Sequence, residues 1–132
     1  MKKVYNAEEA NTIEPLDAVF SVCKVPDYSG IDIDQPFVFT GRTDEEKSLV
    51  CPTELVPENA SARDDGWRAF RISVQMDFAL IGILARISKI LADHGIGIFA
   101  VSTFDTDYIL TKEENFGKAL AALAGEGYGI SV

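Results

Sequence analysis

Apolar and polar positions change their period several times along the 132 residues, and each change marks an element. In Phe70-Arg71-Ile72-Ser73-Val74 apolar residues alternate with polar ones, the pattern of a strand with one wet face. From Leu80 to Asp93 the spacing becomes helical: Ile83, Leu84, Ile87, Ile90 and Leu91 recur at steps of three and four and form one broad apolar stripe. His94-Gly95 predicts its end, because glycine takes the left-handed conformation of a helix C-terminus without a Cβ clash. Ile96 to Val101 is apolar on both parities, so this strand is expected to be covered on both faces or to lie in an interface. The polar run Ser102 to Thr106 turns the chain into Asp107-Tyr108-Ile109-Leu110. A second helix follows on Phe116, Leu120 and Leu123, stops at Gly125-Glu126-Gly127, and gives way to a strand carrying Tyr128, Ile130 and Val132.

The order over Trp67 to Val132 is therefore β-α-β-β-α-β. Two crossover helices on one face of a four-stranded, mostly antiparallel sheet make an α+β, ferredoxin-like fold. Upstream, residues 18–25, 36–40 and 47–51 read as strands. Pro26 to Asp32 is too short and too rich in helix breakers to supply the crossover helix. Ser48-Leu49-Val50-Cys51-Pro52-Thr53-Glu54 matches Tyr108-Ile109-Leu110-Thr111-Lys112-Glu113-Glu114 in position and pattern, which suggests a worn internal repeat. Polar residues 57–66, closed by Asp65-Gly66, read as the connector. The expected organisation is a degenerate N-terminal module over 1–63 and a complete one over 64–132.

Twenty-one acidic and twelve basic side chains give a formal charge of −9, which weighs against duplex DNA, RNA or an anionic membrane as the main partner. No apolar window reaches the length of a membrane span, and Met1-Lys2-Lys3-Val4 runs into polar residues where a secretory signal would be apolar. Cys23 and Cys51 are too few for a disulfide framework and read as reduced, packed thiols of a cytoplasmic protein.

Enzyme signatures are scarce. His94 sits where a partial positive charge complements a helix dipole. No cysteine pair has metal-ligand spacing, and Gly95-Ile96-Gly97 follows a helix, the wrong context for a dinucleotide turn. No metal and no cofactor is expected. A small enzyme using Asp105 or Asp107 as general base would need a strongly raised pKa with no histidine or metal beside it. Two loops hold more promise. Residues 75–82 lead into the first helix, whose free N–H groups and dipole suit a carboxylate. Thr103, Phe104, Asp105 and Asp107 could hold an ammonium, so the two loops together could grip an amino-acid zwitterion. Against this stand plainer readings: Asp77 as a helix N-cap, Gly82 as a place for close helix-on-sheet packing, and Asp105 as a turn residue.

Trp67 to Arg71, Asp77 to Ala85 and above all Ile98-Phe99-Ala100-Val101-Ser102-Thr103-Phe104-Asp105-Thr106-Asp107-Tyr108-Ile109-Leu110 resemble the bacterial ACT-domain proteins related to the CASTOR arginine sensors and to the regulatory domains of aspartate kinases. Ser48 to Pro52 is similar to the N-terminal module of the same proteins. The resemblance implies a tandem ACT-like chain, a non-catalytic sensor that binds a small ligand, commonly an amino acid, where modules meet. It carries the binding positions onto Leu80, Ile81, Gly82, Thr103, Phe104 and Asp107. It also implies a homodimer of side-by-side sheets and a possible regulated protein partner. Many ACT loops carry Pro-Gly where this chain has Ile81-Gly82. Leu80 and Ile81 offer no acid to a cationic ligand, which argues against arginine. The competing expectation is a protein-interaction module with a vestigial pocket.

Overall fold

The computed structural model describes residues 12–72 and 82–131. The elements are β1 (Thr12–Lys24), β2 (Phe39–Arg42), β3 (Lys47–Pro52), a 3-10 turn (Thr53–Leu55), β4 (Ala62–Ile72), α1 (Ile83–Asp93), β5 (Phe99–Ser102), β6 (Asp107–Lys112), α2 (Glu113–Gly125) and β7 (Gly129–Ile130). They belong to two compact units, one built from residues 1–17 and 68–132, the other from residues 18–67. Strands β1 and β4 each contribute residues to both units.

In the unit of residues 1–17 and 68–132, the strand order is β1-β4-β6-β5, with β7 on the outer side of β1. Thr12 and Ile13 pair in parallel with Gly129 and Ile130, and Ser131 N donates to Ile13 O at 2.8 Å. The ferredoxin-like order expected from sequence would set β7 against β4. Here the first described strand takes that place, with Ile13 wholly buried. Further links stitch the N-terminal strand to β4: Arg68 Nη2 donates to Leu16 O at 3.0 Å, and Arg71 pairs with Glu14. The core joins Ile13, Phe70, Ile72 and Ile109 of the sheet to Ile87 and Leu91 of α1 and Phe116, Ala119 and Leu123 of α2. Arg68 spreads its guanidinium over the Phe116 ring, 4.7 Å from the centroid.

Both helix ends follow the expected chemistry. Gly95 has φ +72° and Ile96 N donates to Leu91 O at 3.0 Å; Gly127 has φ +97° and Tyr128 N donates to Leu123 O at 3.0 Å. These are left-handed glycine caps that satisfy the last carbonyls. His94 is the C-cap residue of α1, and its Nδ1 donates to Ile90 O at 2.8 Å.

In the unit of residues 18–67, the order is β2-β3-β1-β4. No helix lies between β1 and β2, as the breakers in that segment imply. The loop is instead pinned by its own acids: Asp27 accepts from Ser29 and from Asn59 Nδ2, and Asp32 accepts from Asp34 N and Gln35 Nε2. Residues 62–66, expected as connector, are the start of β4. The pattern misleads here because an edge strand keeps its side chains in water. Asp65 is nonetheless anchored, accepting from the buried Ser21 hydroxyl at 2.6 Å.

The small core of this unit holds Cys23, Val25, Ile31, Leu49 and Cys51. Both cysteines are free thiols, and burial pushes Cys51 up to about 12 and Cys23 upward as well. A thiol raised in the folded state contributes stability that is complete below its unfolded pKa of about 8.5 and is lost as pH rises toward 12. Stability measured by urea unfolding is therefore expected to fall across that window, with a shallower slope in Cys51→Ala. Native protein at pH 8 is expected to resist alkylation at both thiols until it unfolds; prompt labelling would show that this core is open.

Candidate functional site

The β5–β6 hairpin gathers most of the residues singled out in the sequence. Its ladder pairs Phe99 with Leu110, Ala100 with Ile109, Val101 with Tyr108 and Ser102 with Asp107. The turn above is closed by Thr103, whose N–H and hydroxyl both donate to Thr106 O, at 2.8 and 3.1 Å. Because side chains alternate along a strand, Asp107 shares a face with Ile109 and Thr111, the face that carries the core. The consequence is unusual for an acid: Asp107 is only 2 % exposed.

Its one hydrogen-bond partner among the described residues is Ser102, whose hydroxyl donates to Oδ1 at 2.6 Å. A buried carboxylate with a single neutral donor keeps unused acceptor capacity and a large desolvation cost. A cationic group brought alongside would relieve both. Among the described residues no lysine or arginine forms an ion pair with Asp107. Arg71 is held elsewhere by Glu14 and Tyr108, with the Glu14 hydrogen bond foremost in keeping its pKa above the ordinary value.

Ser102 was not among the expected site residues. The signal was present as a serine five positions before Asp107, but only the four-residue turn makes them direct neighbours. Thr103 proves to be the turn's clasp, with its hydroxyl committed to Thr106 O. Phe104 stands at the tip, 81 % exposed. Asp105 sits beside it in the turn and is exposed, in line with a turn role.

Gly82 is the N-cap residue of α1, with φ +94° and no side-chain cap. Among the described residues, a Cβ added there would meet nothing within 4 Å. The left-handed backbone calls for glycine by itself, since only glycine adopts it without strain. The first turn of α1 contains no acid, so its N–H groups and positive dipole end are not neutralised by a side chain of that turn. Asp77, Leu80 and Ile81 lie outside the described residues, and the helix expected from Leu80 is described from Ile83. Ser102, Thr103, Phe104 and Asp107 are thus brought onto one hairpin, while Gly82 opens a helix of the same unit. Among the described residues no group of three or more metal-ligating side chains occurs, and no helix is long and apolar enough to cross a membrane.

The geometry can be set beside known proteins. Residues 62–125 match the family model of the ACT domain. A search of curated proteins finds no match. Among solved structures, the protein Atu0741 from Agrobacterium tumefaciens is similar at 29 % identity, covering 91 % of each chain with a TM-score of 0.79. Aspartate kinase from Synechocystis is similar in fold, at 17 % identity and TM-score 0.67, over 98 % of this chain and 29 % of that one. The regulatory subunit of aspartate kinase from Thermus thermophilus aligns at 11 % identity and TM-score 0.59, over 86 % of this chain and 95 % of that subunit. Residues 62–125 are accordingly similar to the ACT domain, within a small α+β chain that shares its fold with a regulatory subunit of aspartate kinase.

Proposed function

We propose that this chain is a non-catalytic regulatory module that binds a free amino acid, with Asp107 receiving the ligand's ammonium group. The observation that carries the reading is the carboxylate of Asp107, 2 % exposed and partnered among the described residues by one serine hydroxyl. A ligand cation completes what the fold leaves uncompensated. The uncapped, acid-free start of α1 at Gly82 suits the ligand's carboxylate, with Leu80 and Ile81 leading into it. Regulation then follows from linkage: the ligand favours whichever state of the chain, free or assembled, binds it better. The assembled state is a cytoplasmic homodimer formed along β5, the strand at the end of the sheet order, or a complex with a regulated protein. The tandem relation of the two halves and the kinship with the CASTOR arginine sensors belong to this same proposal.

The test is a thermal-shift screen against the common amino acids, with sedimentation run on the same samples. A ligand at about 100 times its Kd adds roughly 2.7 kcal/mol, a shift of several degrees for a domain of this size. One selective amino acid, accompanied by a change in mass, is the expected result; a flat screen removes the reading. The exposed Phe104 favours the second reading, a protein-interaction module without a ligand. In that case Phe104→Ala weakens assembly and no amino acid stabilises the chain.

A further inference from the structure

The β2–β3 hairpin is built like the β5–β6 hairpin but places charge of the opposite sign at the cross-strand pair below its turn. In the first, Thr43 N donates to Glu46 O at 2.9 Å and the Thr43 hydroxyl reaches the same carbonyl at 3.4 Å. In the second, Thr103 makes the same two contacts to Thr106. The cross-strand pair directly below the turn is Arg42 with Lys47 in one and Ser102 with Asp107 in the other. Position for position, Arg42 corresponds to Ser102 and Lys47 to Asp107. One hairpin sets a hydroxyl beside a buried carboxylate, and the other sets two cations side by side.

Directly opposed residues have Cβ atoms about 4.5–5.5 Å apart, and like charges placed there repel. Neither Arg42 nor Lys47 forms an ion pair among the described residues, although Asp44, Glu45 and Glu46 lie in the turn between them. The turn directs the backbone of Glu45 and Glu46 onto the Thr43 hydroxyl instead. Lys47 is half-buried and shares its face with Leu49 and Cys51 of the core. The nearby acid that feels Lys47 is Asp27, whose carboxyl lies below the usual range mainly through Ser29 and only in small part through Lys47. Asp27 is already occupied by Ser29 and Asn59.

We propose that Arg42 and Lys47 form an oxyanion subsite within residues 18–67, recognising the carboxylate or phosphate group of a small molecule. An arginine offers a planar fork of donors and a lysine a compact point charge, the combination that suits such groups. An anion between them turns their mutual repulsion into attraction.

The experiment titrates the full chain with inorganic phosphate and, separately, with succinate, against sodium chloride of equal ionic strength, following backbone amide shifts. Saturable shifts confined to residues 40–49 are expected. Arg42→Gln combined with Lys47→Gln should weaken the apparent Kd at least tenfold, and Lys118→Gln should leave it unchanged. The same spectra report whether each variant is folded. Response to both anions supports a general oxyanion site; response to one supports it and names the source. Shifts reproduced by chloride, spread over every basic segment, or retained in the double variant overturn the proposal. Asp107 is untouched throughout, so the result stands or falls separately from the amino-acid reading.

Discussion

Asp107→Ala is expected to abolish stabilisation by the amino acid that stabilises the unaltered chain, while leaving the melting temperature without ligand unchanged or slightly raised. The two halves of this expectation have one cause. Without ligand, Asp107 is a carboxylate out of water with one serine hydroxyl beside it among the described residues, so removing it deletes a desolvation cost along with one hydrogen bond. With ligand, the same change strands a buried ammonium, and breaking one side of a buried pair costs about 3–5 kcal/mol. A loss of that size exceeds the roughly 2.7 kcal/mol that saturation at a hundredfold Kd supplies, so the shift vanishes at the same concentration. Asp107→Asn keeps an acceptor for Ser102 but not the charge, and should behave like alanine toward the ligand. Thermal unfolding of the three proteins with and without amino acid decides the matter. A shift retained in Asp107→Ala removes Asp107 from the site. A fall of many degrees in the ligand-free variant would mean that the carboxylate is structural.

The second large effect concerns the N-terminal strand. A fragment of residues 64–132, which holds nearly all of the segment matching the ACT model, is expected not to unfold cooperatively on its own. It lacks Ile13, wholly buried among Phe70, Ile72 and Ile109, and it lacks the backbone against which β7 pairs. It also loses Glu14 from Arg71 and the Leu16 carbonyl from Arg68. Emptying one buried isoleucine site costs about 2–5 kcal/mol, against a total of about 5–15 kcal/mol for a whole domain. The fragment forfeits that and the strand pairing together. Ile13→Asp in the full chain should reproduce much of the loss by forcing a charge into the same place. Circular dichroism melts and amide dispersion are the readouts; a fragment with a sharp transition and a dispersed spectrum would show that the strand is dispensable.

Much of the local structure was legible in the order of residues. The stripe ending at Leu91 and the Gly95 after it specify a helix and its stop, because a 3.6-residue period and a left-handed cap are both short-range properties. The same holds for Phe116, Leu123 and Gly127. The polar run from Ser102 to Thr106 could be recognised as a turn for an equally local reason. Residues 62–66 could not be recognised as strand, since a polar run looks the same in an edge strand as in a loop. Gly82 was noticed as a binding position and as a place for close packing; its φ of +94° is visible only once the backbone is traced.

Neighbours a few positions apart specify the helices, their C-caps and the hairpin turns, and they single out Asp107 among the acids. Which of those residues meet depends on contacts between distant parts of the chain. Tertiary structure placed Ser102 against Asp107 and buried the carboxylate, it set Arg42 against Lys47 in the matching hairpin, and it drew Ile13 from one end of the chain between strands from the other. Such pairings join residues that sequence separation leaves independent, and only the burial of a shared apolar core fixes which of them meet.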